Sequence, residues 1–346
     1  MKGDIYSMKE KIQKLSKGHS LTFDESKSAM NMILENRVSA AQAAAYLTAL
    51  HIKGESIEEI TGAVLSVKEH TEKVNYMHES LQLVSTGWDM SNSFTISVGA
   101  AIVAAAGGCK VARYGNRSTI SKCGLADVIE ALGINISCSS EESIQMLDKS
   151  GFCFLYAPKY HSAMKYMIPV RVEIGIRTIF DILGPLANPV FSDIQLVGVY
   201  DDEFLKPMAQ VLINIGVKRG MSVHGLDGVD EISASAPTKV CELTDGRIKS
   251  YTIKPEDFGF ISCTANELKA GSPEECSEVI RKVFSGNEKG GRYNAICMNG
   301  GAALYLQEMA DSPAEGIALA KDIIDSGKAE EKLEEIVALS KQTSGA

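Results

Sequence analysis

The chain of 346 residues has one tryptophan, nine prolines and only 6% aromatic residues. It also lacks any excess of positive charge: 35 Lys and Arg stand against 44 Asp and Glu, for a formal net charge of −9. That balance argues against a broad surface for nucleic acid or anionic membrane, so neither is expected as a partner. Any anionic ligand must then be held locally, by backbone amides, a few cations or a bridging metal ion. No apolar run reaches the length of a membrane span. The opening "MKGDIYSMKEKIQKLSKG" reads as charged amphipathic helix in place of a signal peptide. The eight cysteines include no C-x-x-C pair and no Cys/His cluster at zinc spacing, and they read as reduced thiols. A cytoplasmic location is the expectation.

With 45% hydrophobic residues there is enough apolar material for a sizeable core. Residues 1–75 read as a helical domain. Ile5, Met8, Ile12 and Leu15 share one helical face, Thr22 with Glu25 and Ser56 with Glu59 have capping-box spacing, and an Ala-rich helix stops at Gly54. From Leu81 short β-like runs ("LQLV", "KVARYG", "FCFLYA", "IQLVGVY", "GMSVHG") alternate with helical segments. This is the grammar of a mainly parallel sheet covered by helices. A helix-rich insertion at about 160–185 interrupts the alternation and is positioned to join the N-terminal domain. The expected fold class is α/β: a small N-terminal α-helical domain and a large α/β domain over 76–346 with a mainly parallel central sheet.

Four segments hold more polar and Gly residues than structure alone needs. "STGWDMSNSFTIS", Ser85 to Ser97, lies where a strand hands over to a helix, so backbone N–H groups and a helix N-terminus could hold phosphate there. Gly87 can take a positive φ, Asp89 can face a cation, and Ser97 begins the helix. "RYGNRSTISKCG", Arg113 to Gly124, offers Arg113, Arg117 and Lys122 as cations beside Ser118, Thr119 and Ser121, a good anion site. "HGLDGVDEIS" carries adjacent Asp230 and Glu231, hard-oxygen ligands suited to Mg²⁺ held partly through substrate phosphates. In the insertion, His161, Lys165, Arg171 and Arg177 could reach a cleft, and Arg171 could clamp a carboxylate through paired hydrogen bonds. Each segment taken alone is also compatible with an ordinary turn, a solvated loop or a structural ion pair.

Three blocks in order give a stronger signal. "YGNRSTISKCGLADVIEALG", "HSAMKYMIPVRVEIGIRTIFDILGPLANP" and "VHGLDGVDEIS" resemble the corresponding blocks of the anthranilate phosphoribosyltransferase family, over essentially the whole chain. The resemblance implies a nucleoside phosphorylase/phosphoribosyltransferase-like fold with a hinged cleft, and a homodimer formed through the helical domain. It implies transfer of phosphoribose from phosphoribosyl diphosphate to the nitrogen of anthranilate, with no strongly basic catalyst, since an aniline nitrogen attacks in its neutral form. Carried over by position, Asp230, Glu231 and Ser97 would hold Mg²⁺. Ser85, Thr86, Gly87, Asp89, Ser97, Arg113 and Ser121 would lie along the phosphoribosyl diphosphate. Asn116, His161 and Arg171 would face the aromatic acid acceptor, Arg171 taking its carboxylate.

The chain departs from the family pattern on the diphosphate side. Ser85 and Trp88 stand where Gly is usual, Thr95 for Asn, Val98 for Thr, Arg113 for Lys, Tyr114 for His, and Ile120 and Cys123 for Ser. Trp88 brings a large ring where Gly permits close backbone approach. A phosphoribosyltransferase for another aromatic acceptor, or a homologue that binds without catalysing, therefore stays open beside the anthranilate enzyme. Nucleoside phosphorolysis is less well matched by the acceptor-side blocks.

Overall fold

The computed structural model describes residues 7–87, 93–117 and 123–342. Four helices open the chain, α1 (Met8–Ser16), α2 (Phe23–Leu34), α3 (Ala40–Lys53) and α4 (Ile57–Glu69). Each begins in a capping box: Ser7 with Glu10, Thr22 with Glu25, Ser39 with Gln42 and Ser56 with Glu59. The reciprocal bonds satisfy amides that a helix start leaves unpaired. Glu59 does more, because its buried carboxylate also accepts the Leu21 N–H at 2.8 Å and Lys53 Nζ at 2.7 Å. One side chain thus fastens the start of α4 to two neighbouring segments.

The larger part is built on seven strands: β1 (Leu81–Ser85), β2 (Val111–Gly115), β3 (Phe152–Tyr156), β4 (Ile194–Gly198), β5 (Arg219–Gly225), β6 (Thr238–Thr244) and β7 (Arg247–Ile253). Their order across the sheet is β3-β2-β1-β4-β5-β6-β7. The pairings from β3 through β5 are parallel, and β5-β6 and β6-β7 are antiparallel. The expected helical domain and mainly parallel sheet are both present. The β6-β7 hairpin is an addition to the expected strands.

Between the strands run α5 (Ile96–Ala106), α6 (Leu125–Ala131), α7 (Ser140–Ser150), α8 (Ala157–Tyr160), α9 (Ile168–Ile174), α10 (Ile179–Leu186) and α11 (Leu205–Asn214). After β7 follow α12 (Pro273–Phe284), α13 (Gly291–Leu306), α14 (Pro313–Asp325) and α15 (Lys328–Gln342). The inserted stretch is not one long helix but α8, a 3-10 turn over Ser162–Met167, α9 and α10. It returns to the N-terminal bundle, with α9 against α3 and α10 against α3 and α4. Helix α5 is buried along nearly its whole length beneath α13. Small residues make that contact possible: a Cβ on Gly99 would lie 2.7 Å from Ile296 Cδ1.

The strand order sets where a ligand can sit. From β1 the chain moves outward to β2 and β3, then returns to the other side of β1 as β4 and continues to β5. Helices after β1 and β4 consequently diverge, leaving a crevice at the carboxyl ends of these two central strands. Ser85 ends β1 and Gly198 ends β4, paired in register.

Candidate active site

At that crevice the loop after β5 meets the end of β1 and the start of α5. Asp230 Oδ2 accepts the Gly87 N–H at 2.7 Å, and Glu231 Oε1 accepts the Ser97 N–H at 3.1 Å. Gly87 has φ 69°, a left-handed conformation that turns its amide toward Asp230 with little strain for a residue lacking Cβ. Ser97 lies in the first turn of α5, whose amides carry the positive end of the helix. The two carboxylates therefore sit on backbone donors of the kind that could also bind phosphate. Both are buried, at 5% and 8% exposure for Asp230 and Glu231.

Arg113 completes the cluster from β2. Its Nη2 donates to Ser97 Oγ at 3.2 Å, and at 2% exposure its guanidinium is inside the protein. Burial lowers its pKa to about 10, and the Glu231 carboxylate pulls the other way. It remains a cation at neutral pH. Thr86 fixes the end of β1, its N–H donating to Gly198 O at 3.0 Å and its Oγ1 accepting the Tyr200 N–H at 3.1 Å.

Two positioning residues were not among the sequence-based candidates. A Cβ on Gly198 would lie 1.5 Å from Asp230 O, so only glycine lets the acid loop cross the end of β4. Asn299 of α13 brackets Ile232, accepting its N–H at 3.0 Å and donating to its carbonyl at 2.8 Å. Both had signals in the sequence: a Gly inside a β-like run marks close backbone approach. A buried amide in an apolar helix needs a polar partner.

On the acceptor side, Arg171 Nη2 pairs with Asp181 Oδ1 at 2.6 Å, while Asp181 Oδ2 accepts the Thr178 N–H at 2.8 Å. Arg177 pairs with Glu55 at 3.2 Å and lies over the Tyr200 ring. His161 is enclosed, at 6% exposure, with Nε2 3.0 Å from Ala187 O and Nδ1 3.2 Å from Thr71 Oγ1. Burial depresses its pKa to about 4. The neutral ring donates from Nε2 to the Ala187 carbonyl, and its Nδ1 lies beside the Thr71 hydroxyl, which itself donates to Val67 O at 2.7 Å. Its edge meets Tyr114, centroids 5.3 Å apart. Asn116 is exposed, its Oδ1 accepting the Arg117 N–H at 2.8 Å. Arg117 itself is bound to Asp127 and Glu130 of α6, and Lys165 lies in the 3-10 turn.

Asp89 and Ser121, like Trp88 and the neighbouring Ser118, Thr119, Ile120 and Lys122, lie outside the described residues. Of the other departures from the family pattern, Val98 is wholly buried in α5 and Tyr114 is packed against His161. Thr95 and Cys123 meet each other, Oγ1 to Sγ at 3.9 Å, and Cys123 Sγ is 3.2 Å from Cys276 Sγ of α12. These two changes therefore occupy one contact between the ends of the two loops.

The donor set fits a hard divalent cation. Two adjacent buried carboxylates and the Ser97 hydroxyl supply oxygen only, as Mg²⁺ prefers. Among the described residues no group of three or more His, Cys, Asp or Glu is arranged to hold a metal. Oxygens from an anionic ligand would have to complete the coordination.

A buried acid pair on a loop-helix junction, in the crevice of an α/β domain with a helical bundle attached, defines a class of group-transfer protein. Residues 9–71 match the helical bundle domain of a glycosyl transferase family, and residues 77–330 match its a/b domain. The anthranilate phosphoribosyltransferase of Methanobrevibacter smithii is 48% identical over 330 residues, 95% of this chain and 98% of that protein. The crystal structure of the Thermus thermophilus enzyme of that name superposes with a TM-score of 0.90 at 36% identity, covering 96% and 99% of the two chains. The Saccharomyces cerevisiae enzyme in complex with PRPP and Mg superposes with a TM-score of 0.88 at 26% identity, covering 97% and 98%. The chain belongs to the anthranilate phosphoribosyltransferase family.

Proposed function

We propose that this protein transfers the phosphoribosyl group of phosphoribosyl diphosphate to the amino group of anthranilate, a step of tryptophan biosynthesis. The observation that carries the reading is the anchoring of Asp230 and Glu231 on the amides of Gly87 and Ser97, with Arg113 behind them. Asp230, Glu231 and Ser97 would hold Mg²⁺. When bound, it supplies charge neutralisation for the departing diphosphate.

The chain's own residues bind and orient. Ser85, Thr86, Gly87, Asp89, Ser97, Arg113 and Ser121 are assigned to the phosphoribosyl diphosphate. The Gly87 and Ser97 amides hold the two carboxylates, and the Arg113 guanidinium has donors left to meet the negative charge that grows on the leaving group. Asn116 and Arg171 are assigned to the acceptor, with Arg171 exchanging Asp181 for the substrate carboxylate. Enclosed as it is, His161 acts by fixing the wall between Thr71 and Ala187. The amine lone pair attacks the anomeric carbon as its bond to diphosphate breaks, and the nitrogen then gives up a proton. No side chain must first deprotonate a neutral aniline, so holding the two substrates together supplies much of the rate.

We assign the protein to the cytoplasm, where its eight free cysteines would stay reduced. A homodimer through the helical domain is supported by large apolar side chains left exposed on two neighbouring helices, Ile52 of α3 and Ile168 and Val172 of α9, and by Tyr166 in the 3-10 turn before α9. Among the described residues no helix is long and apolar enough to cross a membrane.

The test of the transfer is release of diphosphate from phosphoribosyl diphosphate and Mg²⁺ on addition of anthranilate. Release that depends on the acceptor supports the reading. Folded protein that releases none, with or without anthranilate, rejects it.

A further inference from the structure

Arg113 has more hydrogen-bonding capacity than its surroundings use. Its Nη2 bonds Ser97 Oγ, but its Nε and Nη1 are buried and meet no acceptor among the described residues. A buried guanidinium with idle donors is costly unless a charge of opposite sign lies close by. Glu231 is that charge: the two groups share Ser97 as a bridge, its N–H given to the carboxylate and its Oγ accepting from the guanidinium. The same carboxylate and the same hydroxyl are the oxygens that would hold the divalent cation. A guanidinium fixed beside them repels a dication twice as strongly as it would a single charge, in a region where water screens poorly. Conversely, a diphosphate brought in with the cation would neutralise both and would supply acceptors for the idle N–H groups.

We infer that Arg113, besides its place along the diphosphate, acts as resident counter-ion of the acid pair, so that a divalent cation enters this site only together with a diphosphate anion. The inference rests on the reading of Asp230, Glu231 and Ser97 as the cation's ligands. It adds an order of binding and gives the Arg, where Lys is usual, a task that depends on its length and its several donors. A lysine at this position would offer its three donors from one compact nitrogen, in place of a planar fork that holds Ser97 at one end and keeps Nε and Nη1 spaced for an anion.

The experiment is a Mn²⁺ titration of the full chain followed by water-proton relaxation, which distinguishes protein-bound Mn²⁺ from its complex with pyrophosphate in solution. Wild type is expected to show no enhancement with Mn²⁺ alone at concentrations where adding inorganic pyrophosphate produces a strong one. Arg113→Met is expected to bind Mn²⁺ alone at least about tenfold more tightly than wild type, because the acid pair has lost its internal partner. Equal affinities of the variant and wild type for Mn²⁺ alone would overturn the inference. Should the variant not fold, as its thermal melt will tell, the wild-type pair of titrations decides. Tight Mn²⁺ binding to wild type without any anion overturns the counter-ion role while leaving the metal site standing. Absence of enhancement both with and without pyrophosphate removes the metal site and the inference together.

Discussion

Glu231 accepts the backbone N–H of Ser97 at 3.1 Å, so one carboxylate of the acid pair caps the first turn of α5. The contact joins three distant parts of the chain, because Ser97 also receives Arg113 from β2. Ser97→Ala keeps the backbone bond and removes the hydroxyl. The expected result is a rise of about tenfold or more in the Mg²⁺ concentration for half-maximal turnover, as a hydrogen bond to a charged group is lost. An unchanged Mg²⁺ dependence would show that the hydroxyl has no part in holding the cation.

Gly198→Ala places a Cβ 1.5 Å from Asp230 O, a separation no side chain tolerates. Either β4 or the acid loop must move. A loss of at least about 2 kcal/mol in unfolding free energy is expected, together with a large fall in turnover. Denaturant melts and initial rates check both; wild-type values in each would mean that the close crossing is absent in solution.

His161 makes stability depend on pH. Burial lowers its pKa from the ordinary 6.5 to about 4, so between these values the unfolded chain binds a proton that the folded chain does not. Its contribution is whole above pH 6.5 and is lost as pH falls through the window toward 4. At pH 5 the loss relative to pH 7 should be about 2 kcal/mol. Comparing the slopes of wild type and His161→Gln isolates this share, and equal slopes would exclude His161 as its source.

Arg171→Ala should leave the fold nearly intact, since its pair with Asp181 is partly exposed and such pairs contribute about 1 kcal/mol or less. The acceptor KM should rise by about tenfold or more if the guanidinium takes the substrate carboxylate. A melt and a KM measurement on the same preparation separate the two effects. An unchanged KM would remove Arg171 from the acceptor site.

Much of this arrangement is legible in the sequence. Helix starts were legible at Thr22 and Ser56 because a capping box is a local device with fixed spacing. The β6-β7 hairpin is not among the strands expected from the sequence, although Asp245 and Gly246, with φ 50° and 73°, form the D-G turn that usually announces one. Strand β7 is largely exposed and polar at the sheet edge, so it lacks the apolar run by which the other strands are recognised. In α13, Gly300 and Gly301 look like breakers, yet they admit α5 and α14: a Cβ on Gly301 would lie 2.4 Å from Ile317 Cα. Only tertiary packing reveals that use. The acids and Arg113 were recognisable as candidates, but the burial of Arg113 and the bridge through Ser97 depend on strand order, which no local pattern encodes.

The most direct measurement is the loss of anthranilate fluorescence in the presence of phosphoribosyl diphosphate and Mg²⁺, run in parallel on wild type and on the double variant Asp230→Asn with Glu231→Gln. Steady consumption of anthranilate by wild type is predicted, with a decrease of about a thousandfold or more in the double variant once both carboxylates are neutral. Folded wild type that leaves anthranilate untouched, or a double variant that consumes it at the wild-type rate, would contradict the account.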